Sequence, residues 1–235
     1  MATNVLLIMS ETDRGWAPVG HPFPQNVPLL CKLLLDSGFH VELGTNLERV
    51  KNVAGRDGLH SFDVVMFVGR FRGRHPDAEQ ALVDFVNGGK GLVVIHIASS
   101  SFPGSEEWKK LIGRVWLYTE DFPPGSITPS DHPPYGTFKV SVADATHPAM
   151  EGVTNFEVED ELYHSLGRAP EAQEHVLASA FDANRQVTEP MAFTLAHGGG
   201  RVFHTTLGHG PPTFNNPMFQ RMLIQGTEWA AGRRG

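Results

Sequence analysis

The chain has one cysteine, Cys31, among its 235 residues. A single thiol excludes an internal disulfide and any zinc cluster built from several thiolates. No apolar run approaches the roughly 20 residues that a membrane-spanning helix needs, so no membrane partner is expected. Basic residues form no run, and the formal net charge is −7. A surface that tracks phosphates needs the opposite balance, which argues against nucleic acid as a partner. The first residues lead straight into an apolar stretch with no basic segment and no cleavable hydrophobic segment, so the expected location is the cytoplasm. Also missing are His-Glu-x-x-His, Cys-x-x-Cys, Gly-x-Ser-x-Gly and a Gly-rich phosphate loop. No short motif therefore fixes a reaction, and no nucleotide cofactor is expected.

What is present reads as an enzyme-like globular chain, 40% hydrophobic and 19% charged, of a length that suits one domain over residues 1–235. The organising stretch is residues 91–101, Gly-Leu-Val-Val-Ile-His-Ile-Ala-Ser-Ser-Ser. Its apolar run has no period-2 alternation, as in a central strand of a parallel sheet covered on both faces. The strand ends on His96, and ligands of open α/β sheets bind just beyond the carboxyl ends of strands.

Around it, residues 4–9 read as a first buried strand, followed by a Gly- and Pro-containing loop that holds Trp16, His21 and Gln25 as a rim of the site. Val27, Leu30, Cys31, Leu34 and Leu35 mark one face of a helix that Gly38 stops, which makes Cys31 a small core residue. Strands are expected over residues 40–43 and 62–68, and a helix from Pro76 to Gly88-Gly89. Residues 121–135 contain five prolines and one glycine and read as a lid or an edge-wrapping excursion. Beyond them, strands at 137–142, 155–163, 176–180, 191–195 and 202–206 suit a mixed or antiparallel extension of the sheet. Asn216-Pro217 opens a last helix with Phe219, Met222, Leu223, Gly226, Trp229 and Ala230 on one face. The expected fold class is α/β, with a mostly parallel central sheet.

The chemistry-bearing groups are His96, the run Asp160-Glu161 with His164, His204, and His209 in Gly208-His209-Gly210. His209 falls past a strand end, as His96 does; His204 falls within a strand and reads as a satisfied histidine of the sheet. If Asp160 and Glu161 share a strand they point to opposite faces, so only one of them joins the two histidines. Two histidines and a carboxylate suffice for a divalent metal site with open positions, or for metal-free acid/base work on a sugar or carbonyl. His96, Glu161 and His209 are the candidates for catalysis and for holding a divalent metal such as zinc. His21, Asp160, His164 and Trp16 are the candidates for binding substrate.

Several stretches together resemble the ThuA-like (trehalose utilisation) family: residues 81–96 ending in Gly-Gly-Lys-Gly-Leu-Val-Val-Ile-His, His147-Pro148, Phe156 with Asp160-Glu161-Leu162-Tyr163, residues 200–209, and the close from Asn216-Pro217 to Gly232. The resemblance spans nearly the whole chain. It implies a fold similar to class I glutamine amidotransferases, a flavodoxin-like three-layer sandwich, and a role in sugar catabolism, often beside oxidoreductases that make 3-keto sugars. In place of the family's Gly-His-Asp-type opening stands His21-Pro22-Phe23. Amidotransferases of that fold carry a cysteine at the turn after the central strand, where this chain has His96-Ile97-Ala98-Ser99, so cysteine-dependent glutamine hydrolysis is not expected. Two readings follow. One is an enzyme acting on a small carbohydrate or keto-sugar by isomerisation, hydrolysis or elimination; the other is a non-catalytic sugar-binding or partner module on the same fold. Homo-oligomerisation is an expectation from general frequency alone.

Overall fold

The computed structural model describes residues 2–10, 20–52 and 58–235. The elements run β1 (Asn4–Ile8), α1 (Phe23–Asp36), β2 (His40–Gly44), α2 (Glu48–Lys51), β3 (Val64–Phe67), α3 (Pro76–Asn87), β4 (Gly91–Ile95), α4 (Glu106–Ile112), β5 (Arg114–Val115), β6 (Gly136–Val142), β7 (Phe156–Asp160), β8 (Gly167–Arg168), β9 (His175–Asp182), β10 (Val187–His197), β11 (Gly200–Thr205), α5 (Pro211–Phe214) and α6 (Pro217–Ala230). Nine strands form one sheet in the order β2-β1-β3-β4-β11-β10-β9-β6-β7, and β5 pairs with β8. The first five in that order are parallel, and the remaining pairings are antiparallel. The mixed extension expected of the later strands thus begins beside β11, which is itself a parallel neighbour of β4.

The inner parallel strands β1, β3 and β4 are buried on both faces, which is why they read as continuous apolar runs. Alternate residues serve opposite layers. Val5, Leu7, Val64, Met66, Val93 and Ile95 pack with Val27, Leu30 and Leu34 of α1 and Phe219, Met222 and Leu223 of α6. Leu6, Ile8, Val65, Phe67, Leu92 and Val94 pack with α3 and α4 on the other side, around Leu82, Phe85 and Trp108. Each such fully buried side chain stabilises the fold by roughly 1.5–3 kcal/mol. A Cβ on Gly226 of α6 would lie 2.6 Å from the Phe203 ring, so a glycine is needed for that helix to seat on β11.

Asn216 caps α6, its Oδ1 accepting from the amides of Met218 (3.0 Å) and Phe219 (3.3 Å). Helix α1 begins earlier than the sequence pattern implies, taking in Pro24, Gln25 and Pro28. Its buried stripe is Phe23, Val27, Leu30 and Leu34, and Leu35, one residue past that stripe, is 56% exposed rather than in the core. Cys31 packs half-buried against the core, and burial pushes its thiol pKa up, which suits a packing role. Among the described residues no helix is long and apolar enough to cross a membrane.

His204 is fully buried in β11, where its Nδ1–H donates to the Ile112 carbonyl at 2.9 Å. Burial, and to a smaller degree Arg114, lowers its pKa to about 4. An unfolded histidine takes up its proton near pH 6.5 while the folded one stays neutral, so stability falls as the pH drops from about 6.5 to about 4. That histidine should contribute a loss of about 3 kcal/mol over the window. Urea unfolding of wild type and His204→Asn at pH 7 and pH 4.5 should show a smaller acid loss in the variant; equal losses would assign acid sensitivity elsewhere.

Candidate functional site

The alternation of strand directions decides where the site can form. β4 and β11 are parallel, and the antiparallel steps through β10, β9 and β6 leave β7 running the same way as β11. The carboxyl ends of β4, β11 and β7 therefore lie on one side of the sheet. His96 follows the first, Gly208-His209 the second, and Asp160-Glu161 closes the third.

His96 turns sharply out of β4 with φ of 52°, a left-handed conformation uncommon for a residue with a side chain. Strain of this kind persists only where surrounding contacts hold it. Here the His96 Nδ1–H donates to the Thr206 carbonyl at 2.6 Å, which fixes the tautomer and leaves Nε2 facing the site. Nε2 lies 2.8 Å from the Tyr163 hydroxyl and 3.2 Å from Glu161 Oε2. Gly208 makes the approach of the two strand ends feasible: its φ is 128°, and a Cβ there would lie 2.6 Å from Ile95 Cγ2.

Glu161 is the centre of the cluster. Its Oε2 is 3.3 Å from His209 Nδ1 as well as 3.2 Å from His96, and its Oε1 is 3.4 Å from His132 Nε2. The His21 ring lies 5.0 Å from that of His96 and 4.8 Å from that of His209. One ligand-type atom from each of His21, His96, Glu161 and His209 falls within 4.8 Å of all the others. Burial pushes the Glu161 carboxyl up, but the facing His209 and His96 rings outweigh it and hold it well below the usual carboxylate range. For His96, burial opposes protonation, yet Glu161 and Asp160 overcome it and raise the imidazole above its ordinary value. The arrangement is thus a knot of acceptor groups that favours a shared cation, whether a proton or a metal ion.

Of the residues expected to bind substrate, His21 joins the cluster. Asp160 does not face it: its carboxylate accepts from Gly208 N (2.7 Å), Glu161 N (2.7 Å) and Thr213 Oγ1 (2.6 Å), and His209 N lies 3.3 Å away. It is a brace beneath the site. The strand ends at Asp160, and of the two adjacent carboxylates Glu161 is the one that turns to the histidine rings. His164 is directed elsewhere as well, its ring held between Asp182 Oδ2 (3.1 Å) and Glu189 Oε1 (3.4 Å). The His164 backbone pairs with Asp131 of the Pro-rich segment. Trp16 lies outside the described residues.

Three contributors escaped the sequence reading. His132 and Tyr135 arrive on the Pro-rich segment, Tyr135 with its ring 5.1 Å from that of His209 and its hydroxyl donating to the Glu159 carbonyl at 3.1 Å. Burial, then the charges of Glu159, Asp160 and Glu161, pushes the Tyr135 pKa up to about 12, so it stays a donor. Tyr163 stacks on His96 with ring centroids 4.4 Å apart and against Trp116 at 4.2 Å. Tyr163 belongs to the run Asp160-Glu161-Leu162-Tyr163 and could have been flagged there. His132 carries no such mark. Asn26 Nδ2 adds a bond of 2.9 Å to the His209 carbonyl.

The sequence model of one family, ThuA, described as trehalose utilisation, matches residues 5–230. Among solved structures, a ThuA-like protein from Parabacteroides merdae superposes with a TM-score of 0.77 at 20% identity, over 98% of this chain and 90% of that one. A ThuA-like protein from Bacteroides uniformis gives 0.72 at 18% identity, over 97% and 91%. A cytoplasmic protein of Salmonella typhimurium gives 0.63 at 12% identity, over 96% and 98%. At these identities the likeness establishes the fold. A comparison with curated proteins gave no match.

The brace can be tested directly. Asp160→Asn would turn a donor group toward amides and a hydroxyl that need acceptors, so unfolding free energy should fall by about 2–3 kcal/mol. Equilibrium urea unfolding checks this. A loss under about 0.5 kcal/mol, the scale of an ordinary surface substitution, would show that the carboxylate is not what joins β7 to the Gly208-His209 turn.

Proposed function

We propose, since the chain belongs to the ThuA (trehalose utilisation) family, that it is an enzyme acting on a small sugar or keto-sugar through a divalent-metal site. The observation that carries this reading is the convergence of His21, His96, Glu161 and His209 at the carboxyl ends of the strands. Three imidazoles and one carboxylate are the donor set of a zinc-type centre. The Thr206 carbonyl orients the His96 ring from behind, as the outer partners of metal-bound histidines do.

In this reading Glu161, His96 and His209 hold the ion, and His21 joins them. A bound cation would polarise a carbonyl or hydroxyl of the substrate. The second carboxylate oxygen of Glu161 faces His132, which is 31% exposed and so stands where a substrate enters. Isomerisation, hydrolysis and elimination on a keto-sugar all need a polarised oxygen beside a proton acceptor, and the pairing of Glu161 with imidazoles supplies the acceptor. His96 occupies the turn at which amidotransferases of this fold carry their nucleophile, so thiol chemistry is replaced here by imidazole chemistry. We place the protein in the cytoplasm, by analogy with the Salmonella typhimurium protein of like fold.

Metal analysis of untagged protein purified without chelator should find about one zinc, manganese or similar ion per chain, and none in the His96→Ala/His209→Ala double variant. No ion in either protein would overturn the metal site. With the ion present, His209→Ala should abolish turnover of a 3-keto-sugar while leaving the fold intact by circular dichroism; retained turnover would remove His209 from the catalytic set.

A further inference from the structure

The 121–135 segment reaches over the site; its ends are tied by Asp121 to Arg70 and by the Tyr135 hydroxyl to the Glu159 carbonyl, and between those ends its attachment is concentrated at two residues. Among the described residues, the hydrogen bonds of residues 123–129 close within that segment, from the Ser126 amide and hydroxyl to the Pro123 carbonyl. The hold comes at Ser130 and Asp131. Ser130 exchanges bonds with Leu117 and donates to the Ser165 carbonyl at 3.1 Å. Asp131 pairs through its backbone with His164, at 2.7 and 3.2 Å, and its carboxylate receives Arg185 in a bidentate fork, Nη1–Oδ1 2.9 Å and Nη2–Oδ2 2.7 Å. The fork holds the Asp131 carboxyl below its usual range. The next residue is His132, whose Nε2 lies 3.4 Å from Glu161 Oε1.

Arg185 itself is far from the chemistry. It sits in the turn between β9 and β10, where the Asp182 carboxylate accepts from the amides of Asn184 (2.8 Å) and Arg185 (3.3 Å). The same Asp182 faces the His164 ring, and Glu189 faces that ring's other nitrogen. One small network thus ties the turn, the His164 backbone and Asp131 together, and it ends one residue short of the site.

We propose that Arg185 is a positioning residue: by clamping Asp131 it latches the 121–135 strap so that His132 rests against Glu161. Pro133 and Pro134 follow immediately and limit how far His132 can adjust on its own, so displacement of Asp131 is passed to it. A bidentate arginine fork suits this task because it fixes direction as well as distance. Being part-exposed, the latch can open without disturbing the core, and opening would uncover the Glu161 face of the site. Only the consequence for catalysis rests on the metal-site reading; the latch itself does not.

The test uses the full chain with Arg185→Asp, which sets two like charges against each other, and the reciprocal Asp131→Arg/Arg185→Asp pair. Hydrogen exchange should show the Asp131 and His164 amides exchanging roughly fivefold faster in the single variant, with β4 and β11 unchanged. The His132 ring resonance, assigned by its loss in His132→Gln, should move in the single variant and return in the reciprocal pair. Raised salt should narrow the gap between wild type and variant. An unmoved His132 resonance, faster exchange spread over β4 and β11, or failure of the reciprocal pair to restore the signal would each overturn the proposal. Because none of these readouts needs an ion or turnover, a protein that binds no metal would defeat the function proposed above and leave the latch to be decided on its own data.

Discussion

The buried carboxylate of Asp160 is the interaction on which the site depends. It is 1% exposed, and its oxygens face the Gly208, His209 and Glu161 amides and the Thr213 hydroxyl. A charge buried so fully is tolerated only where hydrogen bonds replace its water, and charge-assisted bonds of this kind are worth about 1.5–3 kcal/mol each. Those donors come from the last strand of the antiparallel half and from the turn after the innermost parallel strand. One side chain therefore welds the far edge of a nine-stranded sheet to its centre. His209 and Glu161 take their places because the backbone beneath both is gripped by the same two oxygens.

With the backbone held in this way, electrostatics governs what the side chains can do. Glu161 is anionic, and His96, His209 and His132 all point a ring nitrogen at it. A neutral imidazole presenting a lone pair to a carboxylate is repelled, so the His96 Nε2 facing Glu161 calls for positive charge between the two. The raised pKa of His96 and the lowered one of Glu161 are two views of that demand. A divalent ion meets it more fully than one proton does, since it can satisfy several acceptors at once. His204, equally buried but with no carboxylate near, shows the opposite behaviour and stays neutral. Two histidines on neighbouring strands of one sheet thus diverge because of what faces them.

Much of this was legible before any coordinates. Strands β1, β3 and β4 are buried on both faces, and that burial requires the unbroken apolar runs by which they are recognised; the last helix declares its start through Asn216-Pro217. His96, Glu161 and His209 stand out because polar residues beyond strand ends have few structural reasons to be there. Asp160 and His164, read as binding residues, lie beneath the cluster and away from it, because beyond a strand's end orientation passes to contacts distant in sequence. His132 was illegible because proline-rich chain has no periodicity, and its place is set by Asp131, His164 and Arg185, which lie up to 54 residues apart.

Strand direction finally explains why a site of this composition forms on this sheet. An all-parallel sheet gathers its loops on one edge but offers ligands only from neighbouring crossover units. Here four antiparallel pairings, from β11 through β10, β9 and β6, leave β7 pointing the same way as β4 and β11, and its carboxyl end carries Asp160 and Glu161. The carboxylates are thereby supplied from the edge of the sheet farthest from the first parallel strands. The left-handed turn at His96 and the glycine at position 208 are the local adjustments that let the two sources meet. Had the antiparallel half added one strand more or fewer, Glu161 would leave from the opposite edge of the sheet and the histidines would have no anion to face.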